Sequence, residues 1–264
     1  MITKEKFSAG YNSLTEIDGR YKDMLMDIGI VKESSGTKDF FETEKESAFL
    51  ILTGDVDITY HKTSSNDHSK SIVNKNMKRN NIFKEKPFLL HVPSGIKVSI
   101  NFNKESEILL QKTYNNKNFE AVFYTPDDIK EAYLGDGVLG NASKRIIRDI
   151  FNYSNAPYSN LVIGEVINLP GKWSSYIPHH HIQPEVYFYK FDHENGFGAC
   201  FIEDDVYKIT NNSFATITGG KTHPQVTSPG YSMYYTWMIR HIDGNPWTER
   251  VNDPKHTWLL GGNV

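Results

Sequence analysis

Short apolar or alternating runs, separated by turn residues, follow one another along most of the chain and constrain its fold more than any other feature. The first half contains SAFLILTG, DVDITY, PFLLHVPSG, IKVSINF and SEILLQKTY. The second half contains NLVIGEVINLPG, EVYFYKFD, GFGACFIED, DVYKIT, SFATITGG and GYSMYYTWMIR. Runs of this length predict β-strands, and the 13% aromatic content favours them too, because aromatic side chains suit a pleated, half-buried surface. The sequence therefore predicts an all-β sandwich or barrel.

The middle of the chain interrupts this pattern. TPDDIKEAYLG (125–135) predicts a helix with Thr125 as its cap, and the glycines that follow it indicate a linker. We place a domain boundary near residue 140, giving domains 1–140 and 141–264. A faint repeat supports two similar domains, since Pro93-x-Gly95-x-x-Val98 and Thr218-x-Gly220-x-x-His223 both turn at glycine after an apolar strand. The polar stretch 61–71 is predicted to be an exposed hairpin loop.

Composition narrows the possible partners and compartment. The formal net charge of −3 provides no basic field for nucleic acid or an anionic membrane. Cys200 is the single cysteine, which excludes an internal disulfide and favours a reducing compartment. The opening MITKEKFSAGYNSL has no apolar signal-peptide core, and no run reaches membrane-spanning length. We expect a cytoplasmic protein without nucleic-acid or membrane partners.

The stretch YIPHHHIQPEVYFYKF (176–191) contains the clearest candidate site. On a strand, His179 and His181 share one face and His180 takes the other, and Glu185 keeps the first parity if the strand continues. His223 follows a Gly-Gly turn that could return it beside this pair. Three imidazoles and a carboxylate suit a divalent transition metal with open coordination positions. A histidine triplet alone is more often a partly exposed turn, so the hypothesis depends on Glu185 and His223.

The metal-binding pattern of cupins is H-x-H-x3-E, followed by a glycine turn and a histidine. The segments HHHIQPE and TGGKTH of this chain fit that pattern. Five segments of the chain resemble the 5-deoxy-glucuronate isomerase family of myo-inositol catabolism. They are GKWSSYIPHHH, PEVYFYKF, GFGACFIEDD, GGKTHPQVTSPGYSMYYTWMI and NDPKHTW. The related 5-keto-4-deoxyuronate isomerases of pectin breakdown share the sequence motif EVYFY. The resemblance is dense from about residue 160 to 258 and thin before 140. It implies a bicupin of two jelly-roll domains, with one Zn, Mn, Fe or Ni ion bound by His179, His181, Glu185 and His223.

The activity implied by the resemblance is aldose–ketose isomerisation of a deoxy-uronate, most consistent with 5-deoxy-glucuronate. Such a reaction moves a proton between adjacent carbons and passes through an enediolate, whose charge a divalent metal stabilises. Tyr187 and Tyr189 keep the parity of Glu185 and could relay the proton, although barrel packing is a slightly better explanation for either one alone. The substrate carboxylate calls for a cationic side chain, and solvated surface charge is the alternative for each candidate. These candidates are Lys172, Lys221, Arg145 and Arg240.

The first half has Val98 where the ligand histidine would stand, which predicts a cupin-like domain without metal. Its role would be to close the cavity or to supply an interface in a homo-oligomer. Two other function classes stay open: a cupin that binds a sugar acid without turnover, and an iron dioxygenase with the same ligand set. The absence of a helix-turn-helix segment or basic patch argues against a transcription regulator.

Overall fold

The computed structural model describes residues 2–63 and 70–260, in which the regular secondary structure is β-strand apart from three short 3-10 helices. The centre of the hairpin loop predicted over 61–71 lies outside the described residues. The strands up to residue 134 are β1 (Ile2–Lys4), β2 (Gly10–Thr15), β3 (Asp27–Glu33), β4 (Gly36–Phe40), β5 (Lys45–Thr63), β6 (Lys70–Arg79), β7 (Leu89–Val92), β8 (Val98–Phe102), β9 (Ser106–Tyr114), β10 (Val122–Tyr124) and β11 (Lys130–Leu134). The later strands are β12 (Arg145–Phe151), β13 (Leu161–Asn168), β14 (Trp173–Ser174), β15 (His179–His180), β16 (Glu185–Phe191), β17 (Phe197–Ile202), β18 (Asp205–Thr210), β19 (Ser213–Ile217), β20 (Gln225–Thr227), β21 (Met233–Arg240) and β22 (Val251–Asn252). The 3-10 helices are Lys22–Met24, Leu139–Asn141 and Pro254–Leu260.

The chain divides into two compact units. The first unit consists of residues 7–129 and 157–160, and the second of residues 1–6, 130–156 and 161–264. Residues 1–6 and 130–140 belong to the second unit because β1 pairs with β19 and β11 pairs with β12. The assignment of cupin domains to 1–140 and 141–264 stays a prediction, and the compact units follow strand pairing rather than that boundary.

The first unit is a nine-stranded antiparallel arrangement centred on the long strand β5, which pairs with β6, β7, β8 and β9. Alternate residues of these strands form its core, which includes Phe49, Ile58, Val98 and Ile100. This alternation between buried and exposed positions is the pattern by which the sequence predicted strands here. Val98, the counterpart of His223 in the proposed repeat, is a core residue.

A buried carboxylate in the first unit holds residues 157–160 against it. Glu46 accepts hydrogen bonds from His91 Nε2 at 2.8 Å and from Asn115 Nδ2 at 3.0 Å. It also accepts from Ser159 Oγ at 2.8 Å and from the Asn160 backbone N–H at 2.7 Å. Both Glu46 and His91 are fully buried. Four donors satisfy this carboxylate, which explains how a distant segment returns to the first unit.

The second unit contains a seven-stranded sheet in the order β1-β19-β16-β21-β13-β12-β11 and a smaller sheet in the order β14-β20-β17-β18. A core formed by Val166, Tyr189, Cys200, Ile209 and other apolar side chains draws residues from strands of both sheets. Gly164 in β13 lies directly under the indole of Trp237 in β21, where a Cβ would collide with the ring.

The predicted helix over 125–135 is wrong. Thr125 begins a single turn in which its backbone N–H and Oγ1 both donate to the Asp128 carboxylate at 2.8 and 2.7 Å. The chain then enters β11, which pairs along its length with β12. The capping signal was therefore real, but pairing at the edge of the sheet determined the structure of the residues after it.

Candidate metal centre and cavity

Three polar side chains of the second unit converge at one buried point. The ligand atoms offered by His181, Glu185 and His223 all lie within 4.8 Å of one another. Oε2 of Glu185 is 3.2 Å from Nε2 of His181 and 3.1 Å from Nε2 of His223. Two donors bound tetrahedrally at about 2.1 Å from a zinc-type ion are roughly 3.4 Å apart. The observed separations are therefore close to those a metal needs.

The hydrogen bonds of the histidines fix which ring nitrogen faces this point. Nδ1 of His181 donates to the Gln183 carbonyl at 3.0 Å, and Nδ1 of His223 donates to the Lys221 carbonyl at 2.8 Å. A carbonyl only accepts, so each Nδ1 carries a proton, and Nε2 is the ring nitrogen that faces Glu185. Both Nε2 atoms lie within hydrogen-bond distance of the same carboxylate oxygen of Glu185, at 3.2 Å for His181 and 3.1 Å for His223. A proton or a cation must lie between these nitrogens and that oxygen, and backbone-oriented imidazoles of this kind are typical of metal sites.

His179 borders the cluster. Its Nδ1 donates to the Ile177 carbonyl at 3.0 Å, and its ring centroid is 5.1 Å from that of His223. His179 is thus oriented in the same way as the other two histidines, although it is outside the group of three whose ligand atoms converge. His180 follows on the opposite side of β15 and is also outside that group.

Local backbone features bring these residues together. β15 ends at His180 and β16 begins at Glu185. The candidate ligands therefore do not lie on one face of a single continuous strand. Instead, the Gly219-Gly220 turn packs against the segment that follows His181. Gly220 has φ +86° and its N–H donates to the His181 carbonyl at 2.7 Å. A Cβ at Gly219 would collide with the Ile182 carbonyl, so glycine permits the close approach that brings His223 to Glu185.

Burial and charge act on the cluster in opposite directions. Burial by itself would raise the pKa of Glu185, but His223 and His181 hold that pKa at about 2. Burial lowers the pKa of His179 to about 3, and the positive charges of His223 and Arg250 lower it further. Burial likewise opposes protonation of His223, while Glu185 holds the pKa of His223 above its ordinary value. The carboxylate is therefore ionised and His179 is neutral, as metal ligation requires.

A cavity of about 210 Å³ opens beside the cluster and is lined by His179, His181 and Glu185. One side of the cavity is apolar, with Trp237 and Trp247 among its residues. The polar residues around the rest of it are Arg145, Asp149, Ser175, Tyr187, Tyr235 and Arg250. An enclosure with a mostly apolar lining and a few convergent polar groups is typical of a small-molecule site.

The two predicted proton-relay tyrosines differ in their surroundings. Tyr187 lines the cavity, and its hydroxyl is 3.2 Å from Ser175 Oγ. Tyr189 is fully buried in the core, does not line the cavity, and donates to Gln225 Oε1 at 2.7 Å. Burial raises the pKa of both tyrosines well above the ordinary value. Both hydroxyls are therefore neutral at physiological pH, and Tyr187 is the one placed to reach a ligand.

Of the four predicted substrate cations, only Arg145 lines the cavity. Lys221 is exposed and contributes its carbonyl to His223 rather than its ammonium group. Arg240 forms an ion pair with Asp243 at 3.1 Å, and neither Arg240 nor Lys172 lines the cavity.

Sequence reasoning did not find several of the lining residues. Trp247 and Arg250 come from the segment after the last long strand, which crosses the cavity before β22 pairs with β15. Gln183 Nε2 donates to the Asn245 carbonyl at 2.9 Å and holds this segment beside residues 181–184, which connect β15 to β16. A Trp and an Arg in the otherwise polar NPWTER were the available signal. Asp149 shares a strand face with Arg145, but that became visible only once residues 145–151 were known to be a strand.

Comparison with proteins of known structure agrees with this architecture. The crystal structure of an IolB-like protein from Salmonella typhimurium superposes with a TM-score of 0.85 at 14% identity, covering 98% of this chain and 99% of that one. An oxalate decarboxylase from Lactobacillus farciminis superposes with a TM-score of 0.65 at 11% identity, covering 98% of this chain and 90% of that one. The chain is an all-β bicupin, as the sequence predicted, with a His/Glu cluster that could hold a metal ion.

Sequence comparison is more specific. The model of the KduI/IolB family matches residues 1–259, and the chain belongs to that family. It is 24% identical to a 5-deoxy-glucuronate isomerase of Bacillus subtilis over 270 residues, which cover 96% of this chain and 94% of the relative. It is also 24% identical to a 5-deoxy-glucuronate isomerase of Bacillus licheniformis over 234 residues, covering 83% and 81%. The family resemblance predicted from the sequence motifs is therefore confirmed.

Among the described residues, no helix is both long and apolar enough to cross a membrane.

Proposed function

We propose that this protein is a metal-dependent aldose–ketose isomerase that converts 5-deoxy-glucuronate to 5-dehydro-2-deoxygluconate. Membership of the KduI/IolB family and relatives named 5-deoxy-glucuronate isomerase support the reaction class. The observation that carries the metal dependence is the convergence of two imidazole nitrogens, Nε2 of His181 and Nε2 of His223, on one carboxylate oxygen of Glu185. His179, oriented in the same way, would complete the ligand set.

A divalent ion held by these residues would act as a Lewis acid and offset the negative charge that develops on two adjacent substrate oxygens. The remaining tasks belong to side chains of the cavity. Tyr187 is protonated and hydrogen-bonded to Ser175, so it is suited to donate a hydrogen bond or a proton to a substrate oxygen. Asp149 is the other carboxylate lining the cavity besides Glu185, and it is suited to accept a proton. Trp237 and Trp247 exclude water from one side of the substrate.

The direct test is a coupled assay with 5-deoxy-glucuronate, using the protein as purified, after treatment with a chelator, and after return of Zn, Mn, Fe or Ni. We expect activity that chelation abolishes and one of these ions restores. In heavy water, proton transfer through an exchangeable group should leave deuterium at the carbon next to the new ketone. Product without deuterium at that carbon would instead require a hydride shift.

The sequence also resembles the 5-keto-4-deoxyuronate isomerases of pectin breakdown, so 5-keto-4-deoxyuronate is the second substrate to assay. Turnover of that compound alone would reassign the substrate and keep the reaction class. Inactivity on both uronates, with retained binding of a sugar acid, would contradict the isomerase proposal and favour a non-catalytic binding protein.

A further inference from the structure

We infer that Arg145 and Arg250 form the binding site for the carboxylate of the substrate, so that its acid end lies against these guanidiniums and its carbonyl end faces Glu185. The identity of the substrate rests on the proposed function, whereas the anion-binding site rests on the residues themselves. Arg145 belongs to β12 and Arg250 lies immediately before β22. Both line the cavity beside the candidate metal centre.

Arg145 has a charge that nothing in the described part of the chain neutralises. Its side chain is buried, with the residue only 5% exposed. Nη1 donates to the Ser143 carbonyl at 2.7 Å, and within residues 2–63 and 70–260 the guanidinium has no carboxylate within ion-pair distance. A guanidinium has five N–H donors, and burying it without an anion is costly. A bound carboxylate would supply both the charge and the acceptors that Arg145 lacks.

Arg250 strengthens the positive field at the same place. Both guanidiniums line the same cavity, and the charge of Arg250 acts against that of Arg145. In the described ranges Arg250 has no acidic partner either. Asp149 lines the cavity but forms an ion pair with neither arginine, and Glu185 is engaged by two histidines. Two guanidiniums that repel each other in one cavity form a site for an anion.

The chemistry of the pair selects a carboxylate rather than a neutral sugar. Guanidinium groups bind carboxylates through paired, charge-assisted hydrogen bonds, which also fix the orientation of the ligand. Tyr187 and Tyr235 lie within electrostatic range of Arg145 and can contact the hydroxyl groups between the two ends of the substrate. The arginines would hold the acid end in place while the carbonyl end reacts.

Calorimetric binding of D-glucuronate and of D-glucose to the full-length, metal-loaded protein tests the inference without any turnover. The wild type should prefer glucuronate. Arg145→Gln and Arg250→Gln should each weaken glucuronate binding by roughly 10- to 100-fold and leave glucose binding unchanged, because only the charged hydrogen bonds are lost. Lys221→Gln is the matched control, since it removes a nearby positive charge that does not line the cavity.

Folding and metal content of each variant are measured by circular dichroism and elemental analysis. If the buried Arg145→Gln variant fails to fold, Arg250→Gln decides the matter, because Arg250 is exposed. Arg145→Lys should restore part of the preference, which a purely structural role would not predict. Wild-type binding without preference for glucuronate, or Arg250→Gln binding glucuronate like the wild type, would overturn the inference. A lack of isomerase activity together with a retained, arginine-dependent preference would contradict the proposed function alone.

Discussion

At the scale of single residues, substitution of the candidate ligands should affect metal binding, whereas substitution of their neighbour His180 should not. His223 is 1% exposed, and its Nε2 lies 3.1 Å from the Glu185 carboxylate. We expect His223→Ala to lose the bound metal, and His181→Ala and Glu185→Ala to do the same, because each removes one of few donors. His180→Ala should retain it. Elemental analysis after gel filtration measures this, and full retention by His223→Ala or loss by His180→Ala alone would contradict the assignment.

The single cysteine should be chemically silent in the folded protein. Burial raises the pKa of the Cys200 thiol to about 11, and this outweighs the hydrogen bond that Gln225 Nε2 donates to Sγ at 3.2 Å. The thiolate is the reactive form, so a raised pKa and burial both slow the reaction at pH 8. We expect an aromatic disulfide reagent to leave the native protein unlabelled for hours and to modify one thiol per chain within minutes in denaturant. Rapid labelling of the native protein would show that this part of the core opens readily.

Sequence reasoning at this scale could identify residue types but not their partners. The spacing of His179, His181, Glu185 and His223 singled out a metal-type set, and the structure brings three of them together. Strand parity was expected to place Glu185 beside the histidines only if the strand continued, and it does not continue, because residues 181–184 separate β15 from β16. Arg250 could not be predicted, since its position depends on the path of a loop that is held by contacts distant in sequence, such as the hydrogen bond from Gln183 to the Asn245 carbonyl.

At the scale of elements, the four donors around Glu46 predict a large effect of one substitution. Glu46→Ala removes the carboxylate that accepts hydrogen bonds from His91, Asn115 and Ser159, and so loosens residues 157–160. We expect a loss of about 3 kcal/mol in the free energy of unfolding, as for the breaking of a buried charged network. Urea denaturation measures it, and limited proteolysis should show new cleavage near 157–160.

The matched control is Glu44→Ala, two residues earlier, where the side chain is exposed. It should change the free energy of unfolding by less than about 0.5 kcal/mol. Equal effects of the two substitutions would mean that Glu46 contributes only strand propensity.

Strands were predictable where apolar and aromatic residues formed a continuous run, and the predicted helix failed where the chain joined the edge of a sheet. β16 and β21 are among the strands that the sequence indicated. Residues 125–135 show the limit, because Thr125 and Asp128 form the expected cap but the chain then joins β12 as an edge strand. The capping signal involves residues 125–128 alone. The pairing of β11 depends on residues 145–149 of β12, which lie outside that signal.

At the scale of the whole molecule, the unit that carries the candidate metal centre is discontinuous in sequence. β1 and β11 form the two edges of its seven-stranded sheet, and both precede residue 141. A fragment of residues 141–264 would therefore expose the backbone of β19 and β12. We expect this fragment to aggregate and to show no cooperative thermal transition, because unpaired edges promote association. A fragment of residues 130–264 should be the more soluble of the two, and a cooperatively folded 141–264 fragment that binds metal would show that the outer strands are dispensable.

Removing the metal from the full-length protein should affect catalysis far more than folding. The second unit has its own apolar core, in which Tyr189, Cys200 and Ile209 are fully buried, so its strands do not depend on an ion for cohesion as a zinc finger does. A bound ion stabilises only in proportion to the logarithm of its concentration over its dissociation constant, which amounts to about 3 kcal/mol at a hundredfold excess. For a chain of this size that corresponds to a fall in melting temperature on the order of 10 °C after chelation.

Isomerase activity should fall at least 100-fold in the same sample, since charge stabilisation at the reacting oxygens is lost. Circular dichroism melting and the coupled assay, run in parallel before and after chelation, measure both quantities. Global unfolding of the metal-free protein at 25 °C would instead make the ion a structural component of the fold.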